Sequence, residues 1–462
     1  ALDLLDAANA PANDRRRVEL LISLGDAQRR VGDAAYRQTL LGAAHLAQQV
    51  GDPDALARAA LANFRGFFSL SGSVDAERVA VLEAALDTTA FREDPLRARL
   101  LANLGVELHF VGDNSRRQLS DEALTIARRL GDPMTLAHVL HARCVGTWEP
   151  SNIQEILADS EELLKVSEHL GDPAVTTWAW VWRGIAATCL VDLAESDRSL
   201  DHLTRLAADL RQPMLLWVAS YMRTGRLLLA GRLREAEHAV VETREFGVKA
   251  GQPDVYLIFG LQRYQLRFEQ GRLNELADRL RQALHERDRP ATRAFVALAY
   301  CEIDRIEDAR RVFAPLATRL GELPVDIVWL ELTCLSAAVC RYLGDRPLAA
   351  RLLALLRPLS NQIAGQAVVW WGSVSHYLGL LAATLERYDE AEAHFGAAQM
   401  THEQFAAPTW LARTRLEWGR MLLTRRQPGD TERANELLAQ ALTTARDLGL
   451  GNVERRAVAL LQ

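Results

Sequence analysis

The chain of 462 residues is 49% apolar and 25% charged, with a formal net charge of −6. This is an ordinary soluble balance; no apolar run approaches the roughly 18 residues needed to cross a bilayer, and an acidic chain lacks the surplus cations that a non-specific grip on nucleic-acid phosphates requires. Lys165 and Lys249 are its two lysines, and neither follows a glycine-rich turn as G-x-x-x-x-G-K-[ST] demands, so the sequence holds no P-loop.

From Ala1 to Asn9 the chain reads as the tail of a helix without an initiator methionine, as expected of a fragment of a longer protein. An amphipathic pattern runs from Arg15 to Arg30 and stops at Gly32-Asp33; a second helix from Ala35 reaches Val50. The first helical hairpin closes at Gly51-Asp52-Pro53, and the same three residues return at Gly131-Asp132-Pro133 and Gly171-Asp172-Pro173. Each has a separate task at a junction. The glycine takes the left-handed position that ends one helix, the aspartate caps the next, and the proline suits its first turn. Weaker versions stand at Asp94-Pro95, Gln212-Pro213, Gly251-Gln252-Pro253, Arg289-Pro290, Leu323-Pro324 and Ala407-Pro408.

Between these junctions, inner turns recur at Gly32, Gly72, Gly112, Pro150-Ser151, Asp192, Gly231, Gly271, Asp304, Gly344, Arg387 and Pro428-Gly429. The chain thereby divides into about eleven hairpins with a period of roughly forty residues, the mark of stacked repeats. A helices such as Pro173 to Val191 alternate with B helices such as Ala194 to Leu210, and linkers this short make neighbours antiparallel. No strand is required. After several inner turns an alanine precedes a large apolar residue by four positions, as in Ala309 and Phe313, Ala349 and Leu353, and Ala391 and Phe395 with Ala398 following. Small-then-large spacing lets a B helix nest on its A helix, which is the tetratricopeptide pattern. The expected fold is an all-α, TPR-like α-solenoid, a right-handed superhelix forming one continuous domain over residues 1–462. A local change of curvature is expected from Gly271 to Asp304, where the step shortens to 33 residues.

Several stretches resemble a known family: Leu24-Gly25-Asp26-Ala27-Gln28-Arg29-Arg30, Leu119-Ser120-Asp121-Glu122-Ala123-Leu124 running into Gly131-Asp132-Pro133, Gln270-Gly271-Arg272-Leu273, Tyr377-Leu378-Gly379-Leu380-Leu381 and Trp410-Leu411-Ala412-Arg413-Thr414. They are similar to the helical-repeat region downstream of the nucleotide-binding module in large actinobacterial regulators of the signal-transduction ATPase class, relatives of the maltose-regulon activator. In that family the region accompanies a LuxR-type DNA-binding domain or a class III nucleotide cyclase domain. The resemblance implies a regulatory region whose catalytic and DNA-reading parts lie elsewhere.

Chemistry inside the chain is sparse. His138 and His141 share a helix face, but no Cys, Asp or Glu at recognisable spacing completes a metal set. Cys144 lies three residues after His141, yet an isolated cysteine reads as a small apolar filler before it reads as a nucleophile. The five cysteines, Cys144, Cys189, Cys301, Cys334 and Cys340, form no C-x-x-C, and with no signal peptide recognised a reducing cytoplasm is expected. G-x-S-x-G, G-x-G-x-x-G and H-E-x-x-H are absent. Neither an enzyme nor a cofactor is expected.

All ten tryptophans fall on expected A helices or their ends, where they either line a groove or wedge into the core. Trp178 and Trp182 share a face and Trp180 points away. In the tetratricopeptide frame the second, fifth, ninth and twelfth A-helix positions face the concave surface, which selects Trp178, Tyr221, Gln265, Phe268, Glu331 and His376. Aromatic area mixed with a few polar groups suits a binding site. The function expected is a regulatory sensor module that holds an effector, a peptide or a partner protein in its groove and signals to an ATPase module upstream in the parent protein. The alternatives are a free-standing TPR-like interaction scaffold and a cyclase-linked regulatory region. Neither direct nucleic-acid contact nor a membrane is part of the expectation.

Overall fold

The computed structural model describes residues 11–64, 74–89, 94–111, 114–286 and 288–462. Among these, 23 α-helices follow one another as eleven successive pairs and a closing helix. The pairs are α1 (Pro11–Val31) with α2 (Tyr36–Val50), α3 (Pro53–Ala62) with α4 (Ala76–Thr88), α5 (Pro95–Glu107) with α6 (Ser115–Leu130), and α7 (Pro133–Gly146) with α8 (Ile153–Leu170). They continue with α9 (Pro173–Cys189) and α10 (Leu193–Leu210), α11 (Pro213–Leu229) and α12 (Leu233–Lys249), α13 (Val255–Glu269) and α14 (Ala277–Glu286), and α15 (Pro290–Glu302) and α16 (Ile306–Arg319). The last are α17 (Trp329–Leu343) with α18 (Arg346–Leu356), α19 (Val374–Thr384) with α20 (Tyr388–Gln404), α21 (Pro408–Arg425) with α22 (Asp430–Leu448), and α23 (Gly451–Leu461). Contacts run between sequence neighbours, and the fold is an all-α helical-repeat arrangement.

The repeated junctions work as their residues dictate. Gly51, Gly131 and Gly171 all take the left-handed conformation, at φ 68°, 67° and 63°. Asp52 accepts the Ala55 N–H at 2.9 Å, Asp132 accepts the Thr135 N–H at 2.9 Å, and Asp172 accepts the Ala174 N–H at 2.8 Å. Each cap satisfies a donor that the first helical turn leaves over. The inner turn before Asp192 uses the same backbone geometry without glycine: Val191 stands at φ 65°, a strained place for a β-branched residue. The turns expected at Gly72 and Gly112 lie outside the described residues. Ala309, Phe313, Ala349, Leu353, Ala391, Phe395 and Ala398 are all buried. Phe395 lies so close to α19 that a methyl group at Gly379 would stand 2.6 Å from its ring, so the small residue on the A helix is what admits the large one from the B helix. The short step after Gly271 is filled by a 3-10 turn, Leu273–Leu276, and by the ten-residue α14.

The described chain groups into two compact units. One runs to Arg183 and takes in His202–Trp217 and Glu245–Tyr256; the other comprises Gly184–Asp201, Val218–Arg244 and Leu257–Gln462. The first has an alanine-rich core over α1 to α5, from Val18 through Ala43, Ala44 and Ala57 to Leu104. The second has a leucine core that includes Leu227, Leu233, Leu416 and Leu438.

The expectation that no strand is present is corrected by the structure. Between α18 and α19 the chain forms an antiparallel hairpin of β1 (Ile363–Gly365) and β2 (Trp370–Ser373), pairing Ile363 with Ser373 and Gly365 with Trp370. Trp370 and Trp371 therefore stand on a strand and not on an A helix. Residues 362–382 are buried without interruption, which explains why the segment is so apolar. Among the described residues no helix is long and apolar enough to cross a membrane.

Candidate functional site

The frame-selected residues divide between the units: Trp178 belongs to the first and the other five to the second. Trp178 is half-buried on α9, its ring 4.8 Å from that of His141, and Trp182 from the same face donates its Nε1–H to His141 Nδ1 at 3.1 Å. Trp180 turns away and stacks flat on His202 at 4.2 Å. His138 is occupied too, with Nε2 2.9 Å from the Asn103 side-chain oxygen. Burial pushes His138 down to about 3 and His141 to about 4, so both are neutral at pH 7.

In the second unit Tyr221, Gln265, Phe268, Glu331 and His376 are all buried, where the frame expected an accessible groove. Gln265, Glu331 and their neighbour Gln262 hold the hairpin. The Gln262 Nε2–H donates to the Val368 carbonyl at 3.1 Å and to the Tyr221 carbonyl at 2.8 Å. Gln265 donates to the Trp370 carbonyl and accepts the Trp370 N–H at 3.3 Å. Glu331 accepts the Trp371 Nε1–H at 2.6 Å and a Gln366 amide N–H. Helix α11 comes close because Gly225 has no side chain: a methyl there would lie 3.0 Å from the Val368 oxygen. Phe268, 5.4 Å from Trp371, completes the contact as an edge-to-face pair. Burial pushes the Glu331 carboxyl up to about 7 against the two donors that favour its charge.

Beside the hairpin lies a cavity of about 40 Å³. Its polar lining includes Arg341, Arg413, Arg456, Glu302, Glu417 and His376. Glu417 is fully engaged, accepting from Arg341 Nε at 3.0 Å, Arg341 Nη2 at 2.7 Å and Arg420 Nε at 2.8 Å. Burial works against its charge, but Arg341 and Arg420 prevail and bring it down to about 2. Glu302 accepts from Tyr342 at 2.8 Å and Asn452 at 2.6 Å. Arg413 donates through Nε and Nη2 to Glu269 at 3.1 Å, with its guanidinium 3.8 Å from the Phe268 ring centre.

A hydrogen-bonded chain fixes how His376 meets this cavity. The Ser373 N–H can only donate, and it does so to His402 Nε2 at 2.8 Å. Burial lowers both His402 and His376, the latter to about 4, so both are neutral. His402 therefore carries its proton on Nδ1 and donates it to Thr414 Oγ1 at 3.2 Å. Thr414 passes its one hydroxyl proton to His376 Nδ1 at 3.0 Å, which leaves the His376 proton on Nε2.

Of the residues the frame selected, Gln265, Phe268 and Glu331 contact the hairpin directly, and His376 reaches it through Thr414 and His402. The frame missed Gln262, Trp371, Arg341, Arg413, Thr414, His402 and Arg456. One signal for the hairpin was present: no charged residue stands between Arg357 and Glu386, and β-branched and aromatic residues run from Val368 to Trp371 between Gly365 and Gly372. Among the described residues no group of three or more His, Cys, Asp or Glu is placed to hold a metal ion. Comparison with known proteins finds no family model that matches the chain and no curated protein that matches it.

Proposed function

We propose that the chain is a regulatory sensor or interaction module of a signal-transduction ATPase-type transcriptional regulator, receiving an effector or partner protein and passing the event to an ATPase module of the same protein. The resemblance of its repeats to that family supplies the class. The observation that best supports an interaction role is the hold of Gln262 and Gln265 on main-chain atoms of Val368 and Trp370. Amide side chains that bond carbonyl and N–H groups read a backbone whatever its side chains are, which is the chemistry of extended-peptide recognition.

In this chain the backbone so held is its own. Burying a large apolar side chain gains about 1.5–3 kcal/mol, so Ile363, Val368, Val369, Trp370 and Trp371 together anchor the hairpin by on the order of 10 kcal/mol. A micromolar ligand brings about 8 kcal/mol. The hairpin, buried throughout, is thus part of the core and presents no face to an effector, which on this reading is received elsewhere on the chain.

The test is deletion of residues 1–462 from the full-length protein, with ATP turnover measured alone and in response to the regulator's inducing conditions. Turnover should persist and its regulation should vanish. Regulation unchanged by the deletion, or an adjoining reading frame that encodes no P-loop, contradicts the reading and favours a free-standing scaffold.

A further inference from the structure

We propose that the cavity between the hairpin and helices α15, α17, α19, α21 and α23 is a binding site for a small oxyanion. Its lining has satisfied acceptors and unsatisfied donors. Every oxygen of Glu302 and Glu417 already accepts at least one hydrogen bond. The three guanidiniums, in contrast, each keep one terminal nitrogen that makes no hydrogen bond among the described residues. Arg341 uses Nε and Nη2 on Glu417, Arg413 uses Nε and Nη2 on Glu269 and the Phe268 carbonyl, and Arg456 uses Nη1 on Glu302 and Tyr342. Arg456 Nη2 is a buried donor with no partner.

A fourth donor comes from His376, which is 4% exposed and lines the cavity. The relay from Ser373 through His402 and Thr414 leaves its proton on Nε2, which also makes no hydrogen bond among the described residues. Arg413 is paired with Glu269 and Glu417 also holds Arg420, so around the cavity four arginines stand against three glutamates, formally one positive charge in excess. A buried donor without an acceptor, as Arg456 Nη2 is, is costly, and an anion seated here satisfies it together with the free nitrogens of Arg341, Arg413 and His376 through charge-assisted bonds.

Size narrows the ligand. About 40 Å³ holds roughly three waters, far below the roughly 300 Å³ at which sites for drug-sized molecules begin. A nucleotide is excluded, and a few-atom anion such as phosphate, sulfate or a short carboxylate fits. This inference is independent of the function proposed above, since the donors are in place whether or not the chain reports to an ATPase.

The experiment is isothermal titration of the chain with sodium phosphate, sodium sulfate and sodium acetate at fixed ionic strength, repeated on Arg456→Gln and on His376→Phe. The first substitution is on a half-buried side chain of the last helix and the second keeps a ring of similar shape, so that a folding defect in one, seen by circular dichroism, leaves the other to decide. Wild type is expected to bind at least one of the three saturably at one site, with the preferred anion separating a tetrahedral oxyanion from a carboxylate. Each folded variant is expected to bind about tenfold to a hundredfold more weakly, the loss of one charge-assisted hydrogen bond. No saturable binding by wild type, or affinity unchanged in a folded variant, overturns the proposal.

Discussion

Two aromatic clusters, one in each compact unit, are built from the same residue types by different routes. In the first, His141 and Trp148 from α7 and its end meet Trp178 and Trp182 of α9. Its register is set by a helix that begins at Pro173 behind the Gly171 and Asp172 cap. In the second, Phe268, Trp371, Trp410 and His376 come together around an inserted strand, tied by bonds such as those from Gln262 and Arg413 that reach 106 and 145 residues along the sequence. The first cluster follows from local spacing; the second depends on where a non-local segment is laid. Local rules fix which way a side chain points along its helix, and not what the facing space is filled with.

The sharpest way to break this contrast is to empty the centre of each cluster. Trp371→Ala removes a fully buried ring and the donor to Glu331, and is expected to cost about 3–5 kcal/mol in urea unfolding. A loss below about 1 kcal/mol means the hairpin is not core.

Titration separates the clusters next. Glu331 has an ordinary value of 4.5 and a folded value of about 7. Between these the folded chain binds more protons than the unfolded chain, so its contribution falls as pH rises through that window, by about 3 kcal/mol in all. His141 has an ordinary value of 6.5 and a folded value of about 4. Here the unfolded chain binds more protons, and stability falls as pH drops from 6.5 towards 4 by a similar amount, about 3 kcal/mol. His376, also lowered to about 4, has the sign of His141, so the comparison is made by difference. Wild type minus Glu331→Gln is expected to slope down from pH 4.5 to 7, and wild type minus His141→Gln to slope up from 4 to 6.5. Flat difference curves contradict the assigned environments.

Trp178→Ala is the milder counterpart of Trp371→Ala, since Trp178 is half-buried; about 2 kcal/mol is expected. The smallest effect belongs to the junction. Gly171→Val forces a β-branched residue to φ 63°, with strain of about 1–2 kcal/mol, and thermal unfolding reads it. The cost is bounded because Val191 already occupies the same conformation at φ 65°.

These regions also show how far the amino-acid sequence could be read. The junctions at Gly51, Gly131 and Gly171 and the packing of Ala391 and Phe395 against the preceding A helix were legible because each rests on residues a few positions apart, whereas the seat of Phe395 on Gly379 is seen in the structure alone. So was the shared face of Trp178 and Trp182, both of which meet His141, with Trp180 turned to His202. The hairpin was not, because a short apolar run without charge reads equally as a buried helix. The tetratricopeptide frame made Gln265, Phe268, Glu331 and His376 legible as one set of helix-face positions, but as an open groove and not as the buried residues they are. Their occupant was not legible, and neither were Arg341, Arg413 and Arg456, since an arginine on a helix reads as a solvated face until the fold buries it.

The central claim is that residues 363–373 are a fixed, buried strand pair and not a mobile loop. Native-state hydrogen exchange tests it at three amides: Trp370, bonded to Gln265 at 3.3 Å, Ser373, bonded to His402 at 2.8 Å, and Val374, bonded to the Gln362 carbonyl at 2.9 Å. Protection equal to that of the core amides of α21 is the expected result, because opening the hairpin exposes the same buried aromatic rings. Exchange of these three amides at the rate of exposed loop positions, while α21 remains protected, would contradict it.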